Sequence, residues 1–133
     1  MSPVARGTFD VHLVPAPAEV DGAVHRYDFT KTFAGDLEGT GAGMMLSVGD
    51  PQSGSAGYVA METVRGRLGE HAGAFALQQF GTMHAGSHTL HYEVVPGSGA
   101  EGLAGIAGRL HLTIDEDGTH RYELDYELDY ELD

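Results

Sequence analysis

The sequence predicts an all-β protein, an eight-stranded antiparallel up-and-down β-barrel, on three observations. Apolar and polar residues alternate with a period of two, as in Phe9, Val11 and Leu13 against Thr8, Asp10 and His12. Twenty glycines and clusters such as Gly49-Asp50-Pro51-Gln52-Ser53-Gly54 divide the 133 residues into short segments joined by turns. No 3.6-residue period persists through a helix-length window. Strands with one apolar face each fit a barrel that closes on itself and leaves no free edge; a two-sheet sandwich is the runner-up.

The first strand, about seven residues around Phe9 to Leu13, ends at Pro15-Ala16-Pro17, and residues 15–22 form a loop. The second has the strongest pattern: His25, Tyr27, Phe29, Lys31 and Phe33 share one face, and Arg26, Asp28, Thr30 and Thr32 the other. The third runs from Asp36 to Val48 with Gly39, Gly41 and Gly43 on one face, which leaves room for a bend or a neighbouring ring. Met44 and Met45 are read there as core padding.

The fourth strand, Ser55 to Arg65, has Tyr58, Ala60, Glu62 and Val64 on one face and Val59, Met61 and Thr63 on the other, and periodicity does not choose between them. After Gly66 to Gly73, the fifth carries Phe75, Leu77 and Gln79, and the sixth Leu90, Tyr92 and Val94. The seventh sets Ile106, Gly108, Leu110, Leu112 and Ile114 against Arg109, His111, Thr113 and Asp115. A hairpin turn at Asp117-Gly118 leads to the eighth, with His120, Tyr122, Leu124, Tyr126 and Leu128 on one face. Tyr-Glu-Leu-Asp occurs three times from residue 122 to 133, and residues 129–133 are read as a tail overhanging the barrel. Residues 1–133 otherwise read as one domain by length.

Twenty acidic against seven basic residues give a formal charge of -13, which argues against nucleic-acid partners and anionic membrane surfaces. No cysteine is present, so thiolate chemistry and disulfides are excluded. The opening Met1-Ser2-Pro3-Val4-Ala5-Arg6 lacks a signal-like apolar core, and no run approaches the roughly 20 apolar residues of a membrane span, so the expected setting is the cytoplasm.

Several motifs in order resemble the bacterial domain-of-unknown-function 3224 family. They are Lys31 to Gly39 (KTFAGDLEG), Ala56 to Glu62 (AGYVAME), Phe75 to Gln79 (FALQQ), Val94 to Gly99 with Leu103 to Gly108, and His120 to Tyr126. Gln79 stands where the family pattern has a histidine. That family resembles the allene oxide cyclase-like barrels, and the resemblance implies an eight-stranded barrel with a central cavity and, often, a homo-oligomer.

Lys31, the only lysine, lies on the aromatic face between Phe29 and Phe33, so its charge must find a partner or lose its proton. With the Tyr/Glu face of the fourth strand taken inward, a Lys31–Glu62 pair neutralises two buried charges. In one hypothesis the chain is a cofactor-free isomerase or cyclase on an apolar metabolite, with Lys31 and Glu62 as acid and base and Tyr58 beside them as the catalytic set. Phe29, Phe33, Gln79, Tyr92, His120 and Tyr122 then line the ligand site. The alternative is a non-catalytic binding protein for an apolar small molecule; a structural barrel with a filled core is the third. No cofactor is implied. His84, His88 and His91 lack metal-ligand spacing, since residues 88 and 91 face opposite sides of a strand, so no metal site is expected. Ser98 lacks the strand-to-helix setting of a nucleophile elbow.

Overall fold

The computed structural model describes residues 3–18 and 22–128. Residues 129–133, read above as an overhanging tail, lie outside the described residues. Eight long antiparallel strands close into a barrel: β1 (Val4–Ala16), β2 (His25–Gly35), β3 (Leu37–Asp50), β4 (Ser55–Leu68), β5 (His71–His84), β6 (Ser87–Val94), β8 (Ala107–Ile114) and β9 (His120–Glu127). A two-residue strand, β7 (Ala100–Glu101), pairs with β5 at Gly73 and Ala74, below the part of β5 that pairs with β6. Each long strand neighbours the next, and β9 returns to β1. The sandwich is thereby excluded.

Three features differ from the sequence reading. β1 continues through Pro15, which pairs with Tyr27. It can, because β9 pairs only with Val4–Phe9, so the upper half of β1 is an edge, where a residue without an N–H breaks no second ladder. β4 and β5 are longer than predicted because Gly66 and Gly73, read as loop, are paired with each other across the hairpin. Gly66 also faces Gly39 on β3 so closely that a Cβ on either would meet the other's Cα at 2.6–2.8 Å. Bare glycine here marks close backbone approach in a tightly coiled hairpin. The third difference is Met44, which points outward and is 42% exposed. Consecutive strand residues face opposite sides, so Met44 and Met45 cannot both pad the core.

The lower half of the barrel is solid. Leu37, Leu68, Phe75, Leu77, Val94, Leu103, Ile106, Leu110 and Leu124 are buried there, with the segment around β7 contributing Leu103 and Ile106. The Tyr122 hydroxyl ties the β2–β3 corner: it accepts from the Leu37 N–H at 2.8 Å and lies 3.1 Å from the Ala34 and Leu37 carbonyl oxygens. At that corner Gly35 takes φ 107°, where a side chain would be strained. The predicted turn at Asp117-Gly118 is present, with Gly118 at φ 91° and the Asp117 carboxylate accepting from the Thr119 N–H at 3.0 Å.

The upper half stays open. Leu13, Leu90 and Ile114 follow the inward parity of their strands yet are 46%, 38% and 57% exposed. They pair across the ladders with Phe29, Gly81 and His120, so an apolar mouth stands above the packed layers.

Candidate functional site: a buried lysine and glutamate beneath the mouth

The strand registers stack the inner face in rows. Lys31 is opposite Val11 and Gly41, and Gly41 opposite Val64; two residues further up, Phe29 is opposite Gly43, and Gly43 opposite Glu62. A Cβ on Gly43 would sit 2.7 Å from the Phe29 Cζ and 2.7 Å from the Glu62 Cβ. The glycine stripe of β3 is thus where the Phe29 ring and the Glu62 stem cross the barrel. Register also resolves β4: Tyr58, Ala60, Glu62 and Val64 face inward.

Lys31 and Glu62 are 5% and 3% exposed and are the buried charged residues among those described. The Lys31 Nζ donates to Glu62 Oε1 at 2.8 Å and to the Tyr92 hydroxyl at 2.6 Å. Tyr92 donates to the same Oε1 at 2.8 Å, closing a triangle. The ammonium lies 4.5 Å from the centroid of Phe9, 5.2 Å from Tyr92, 5.3 Å from Phe29 and 6.0 Å from Phe33. Ring faces are negative, so this box stabilises a desolvated cation that its two acceptors leave partly bare. Burying a charge without a partner would be far more costly.

Above the triangle, Tyr58 donates to Gln79 Oε1 at 2.7 Å, and Gln79 is opposite Tyr92 in the ladder. The Tyr58 ring lies over Gly81, where a Cβ would meet its Cε1 at 2.6 Å. Polar groups therefore stand in a row from Lys31, Glu62 and Tyr92 to Gln79 and the half-buried Tyr58 below the mouth. One atom in it is unsatisfied: Glu62 Oε2 is buried and has no hydrogen-bond partner.

Of the residues singled out in the sequence, Lys31, Glu62, Tyr92, Phe29 and Phe33 meet in one cluster, with Tyr58 and Gln79 above it. Two stand apart. The Tyr122 hydroxyl is committed to the β2–β3 corner, so it is not directed at a ligand. His120 is half-buried, its ring 5.2 Å from Phe9. Phe9, the ring nearest the ammonium, was not anticipated as a site residue; its pairing with Phe33, two positions from Lys31, is the feature that points to it. Among the described residues no three His, Cys, Asp or Glu side chains are grouped to hold a metal ion. A separate cleft of about 400 Å³ at the lower end, lined by Asp36, Glu38, Arg67, Leu68 and Tyr126 among others, shares no residue with this cluster.

A family model described as a protein of unknown function, DUF3224, matches residues 5–126. The chain belongs to the DUF3224 family. A crystal structure of a DUF3224 protein of unknown function from Shewanella oneidensis MR-1 is 41% identical, with TM-score 0.91, covering 98% of this chain and 99% of that one. No curated protein matches. Neither the family description nor the Shewanella structure names a reaction, so the allene oxide cyclase-like comparison remains a resemblance read from the sequence.

Burial sets the proton affinities of this DUF3224 site. It lowers the Lys31 pKa, opposed in part by the charge and hydrogen bond of Glu62. It raises Tyr92 well above its ordinary value and Tyr58 above its own, each reinforced by the Glu62 charge, and it raises Tyr122. In the unfolded chain phenols ionise near pH ~10. Above that pH the unfolded state has released protons that the three folded-state phenols retain, so stability falls as pH rises. Lys31 acts in the opposite sense: its folded-state pKa is depressed, so its contribution is present above the ordinary lysine value and lost as pH falls. Three phenols outweigh one amine, and the denaturation midpoint is expected to drop between about pH 9 and about pH 11. In an absorbance titration of tyrosinate, Tyr92 is expected to ionise only as the barrel unfolds. A midpoint that holds or rises over this range would contradict the assignment.

Proposed function

We propose that this DUF3224 protein binds a small molecule with a largely apolar body and one hydrogen-bond donor, seated in the upper half of the barrel above the Lys31–Glu62–Tyr92 layer. The observation that carries this reading is the unpartnered Glu62 Oε2. A buried carboxylate oxygen without a donor is a standing cost that a ligand hydroxyl, amine or bound water removes. The bare Gly41 lets the Glu62 carboxylate and the Phe33 ring lie close to the β3 backbone: a Cβ there would stand 3.2 Å from Glu62 Oε2 and 3.3 Å from the Phe33 Cε1. Val11, Leu13, Leu90 and Leu112 offer the apolar walls, and Tyr58 with Gln79 a polar contact beside them.

A second reading, a cofactor-independent isomerase or cyclase, is favoured by the row of polar groups from Lys31 to Tyr58 and by the lowered Lys31 pKa. Confinement of a flexible apolar metabolite lowers such a barrier without a nucleophile, and a lysine of reduced pKa is a better proton shuttle near neutral pH. In that reading Lys31 and Glu62 exchange the proton, and Tyr58 holds a ligand oxygen.

Both are tested by incubating the protein with an apolar metabolite extract and analysing retained and released compounds by native and chromatographic mass spectrometry. Wild type is expected to retain a compound that Glu62→Gln, which alters the acceptor, retains at least about tenfold less, a loss of ~1.4 kcal/mol or more. A compound released as an isomer of unchanged mass supports the second reading. Turnover undiminished in Lys31→Met and Glu62→Gln removes their acid–base role. Equal retention by all variants, or none by wild type, overturns the binding site.

A further inference from the structure

Lys31 is the only lysine in the chain, and every other strong base is an arginine on an exposed or half-buried position. Arginine keeps its proton, whereas a desolvated lysine can release one and become a nucleophile. The one residue of this kind stands inside the barrel. Two of the three N–H bonds of its ammonium go to Glu62 Oε1 and the Tyr92 hydroxyl, and the rings of Phe9, Phe29, Phe33 and Tyr92 surround the rest. Burial lowers its pKa, which favours the neutral amine, and raises that of Tyr92, which keeps the phenol protonated as a donor. Beside the amine, Glu62 Oε2 is buried and without a donor. The only approach to this layer from the open upper half is apolar, between Val11, Leu13, Leu90 and Leu112.

We infer that Lys31 captures an apolar aldehyde as a protonated imine on its Nζ, with Glu62 moving the protons. Glu62 Oε1 takes a proton from Nζ across their 2.8 Å hydrogen bond. The neutral amine attacks the carbonyl carbon, a C–N bond forms, the π pair moves to oxygen, and Glu62 returns its proton there. Glu62 then takes a second proton from nitrogen. The nitrogen lone pair forms the C=N bond, the C–O bond breaks, and the hydroxyl leaves as water with the proton that Glu62 gives back. The net change is ammonium plus aldehyde to protonated imine plus water, with no oxidant or reductant. Charge is conserved, so the carboxylate and the four rings that hold the ammonium hold the imine cation equally well. One N–H remains for Glu62 Oε1. The carbinolamine hydroxyl supplies the donor that Oε2 lacks, so the reaction itself relieves the unsatisfied atom. Apolar walls select an aldehyde with a hydrocarbon body over a sugar aldehyde. This chemistry rests on the ligand site proposed above and names the class of compound it takes.

Incubation of the folded protein with decanal and cyanoborohydride at neutral pH, followed by peptide mapping, tests this. Cyanoborohydride reduces an imine to a stable secondary amine, adding the mass of the aldehyde less one oxygen atom. With a single lysine in the chain, label on an ε-amine is label on Lys31. Lys31 is expected to react at least about tenfold faster than the N-terminal amine of the same molecule. In urea the order is expected to reverse, because an ordinary lysine ionises near pH ~10.4 and a terminal amine near pH ~8. Glycolaldehyde, which has no hydrocarbon body, is expected to show no preference for Lys31. Lys31→Met/Glu62→Leu is expected to carry label at the N-terminal amine alone, and mapping of wild type decides the matter if that variant does not fold. The inference is overturned if Lys31 in the folded protein is unmodified or slower than the terminal amine, or if glycolaldehyde labels it as fast as decanal does. Decanol, with the same chain and a hydroxyl for Glu62 Oε2, separates this inference from the ligand site in native mass spectrometry. Decanol retained with Lys31 unlabelled overturns the imine and leaves the site, whereas retention of neither compound overturns both.

Discussion

Lys31→Met is expected to destabilise the barrel by about 3–5 kcal/mol, because it leaves the Glu62 carboxylate buried without its counter-charge. Glu62 Oε1 would keep only the Tyr92 hydroxyl, and Oε2 already lacks a donor. The double variant Lys31→Met/Glu62→Leu removes both charges and fills similar volume among Phe9, Phe29, Phe33 and Tyr92, so it is expected to regain most of the loss or to exceed wild type. Denaturant midpoints at neutral pH separate the two outcomes. If the double variant is as unstable as the single one, the cost lies in packing of the aliphatic stems. A double variant that folds well and retains no ligand would assign the ion pair to function.

Gly43→Ala is expected to cost at least about 3 kcal/mol, the upper end of ordinary overpacking. Its methyl would collide with the Met61 carbonyl oxygen of the neighbouring strand and stand 2.7 Å from both the Phe29 Cζ and the Glu62 Cβ. The carbonyl belongs to the β3–β4 ladder and cannot yield without breaking it. Gly41→Ala, two residues away on the same face, meets only side-chain atoms within 3.4 Å. It is expected to lie within about 1 kcal/mol of wild type, since the side chains can shift and alanine restrains the unfolded chain more than glycine does. Thermal unfolding of the two variants checks the contrast. Equal destabilisation would mean that the Glu62 carboxylate and the Phe33 ring cannot shift.

Much of this architecture is readable from alternation alone. β2 buries Phe29, Lys31 and Phe33 and β9 buries Tyr122 and Leu124, as their two-residue periods assign, while His25 on the same face of β2 is exposed and Tyr27, His120 and Tyr126 are half-buried; Lys31 falls inside because Phe29 and Phe33 flank it on the same face. β4 was not readable that way, because Tyr58, Ala60 and Glu62 are no more apolar than Val59, Met61 and Thr63. Its outer face is the greasier one, with Val59 and Met61 more than half exposed. Polarity therefore misleads on this strand, and register across β3 and β5 decides it. Tyr122 is the converse case: its inward parity suggested a ligand contact, but the partners of its hydroxyl come from the β2–β3 corner.

By itself the sequence determined an all-β chain of alternating strands, a single lysine forced onto an aromatic face, and glycines where rings must pass. These follow from local rules, since a strand's period of two assigns faces wherever apolar and polar residues differ strongly. Only the tertiary structure decided that Glu62 meets Lys31, that Tyr92 and Phe9 complete the enclosure, that one carboxylate oxygen is left without a donor, and that Tyr122 serves the backbone. Each depends on which strand lies beside which and in what register. Pairing across 31 and 61 positions of chain, as for Lys31 with Glu62 and Tyr92, is set by closure of the whole barrel and leaves no trace in the spacing of neighbours.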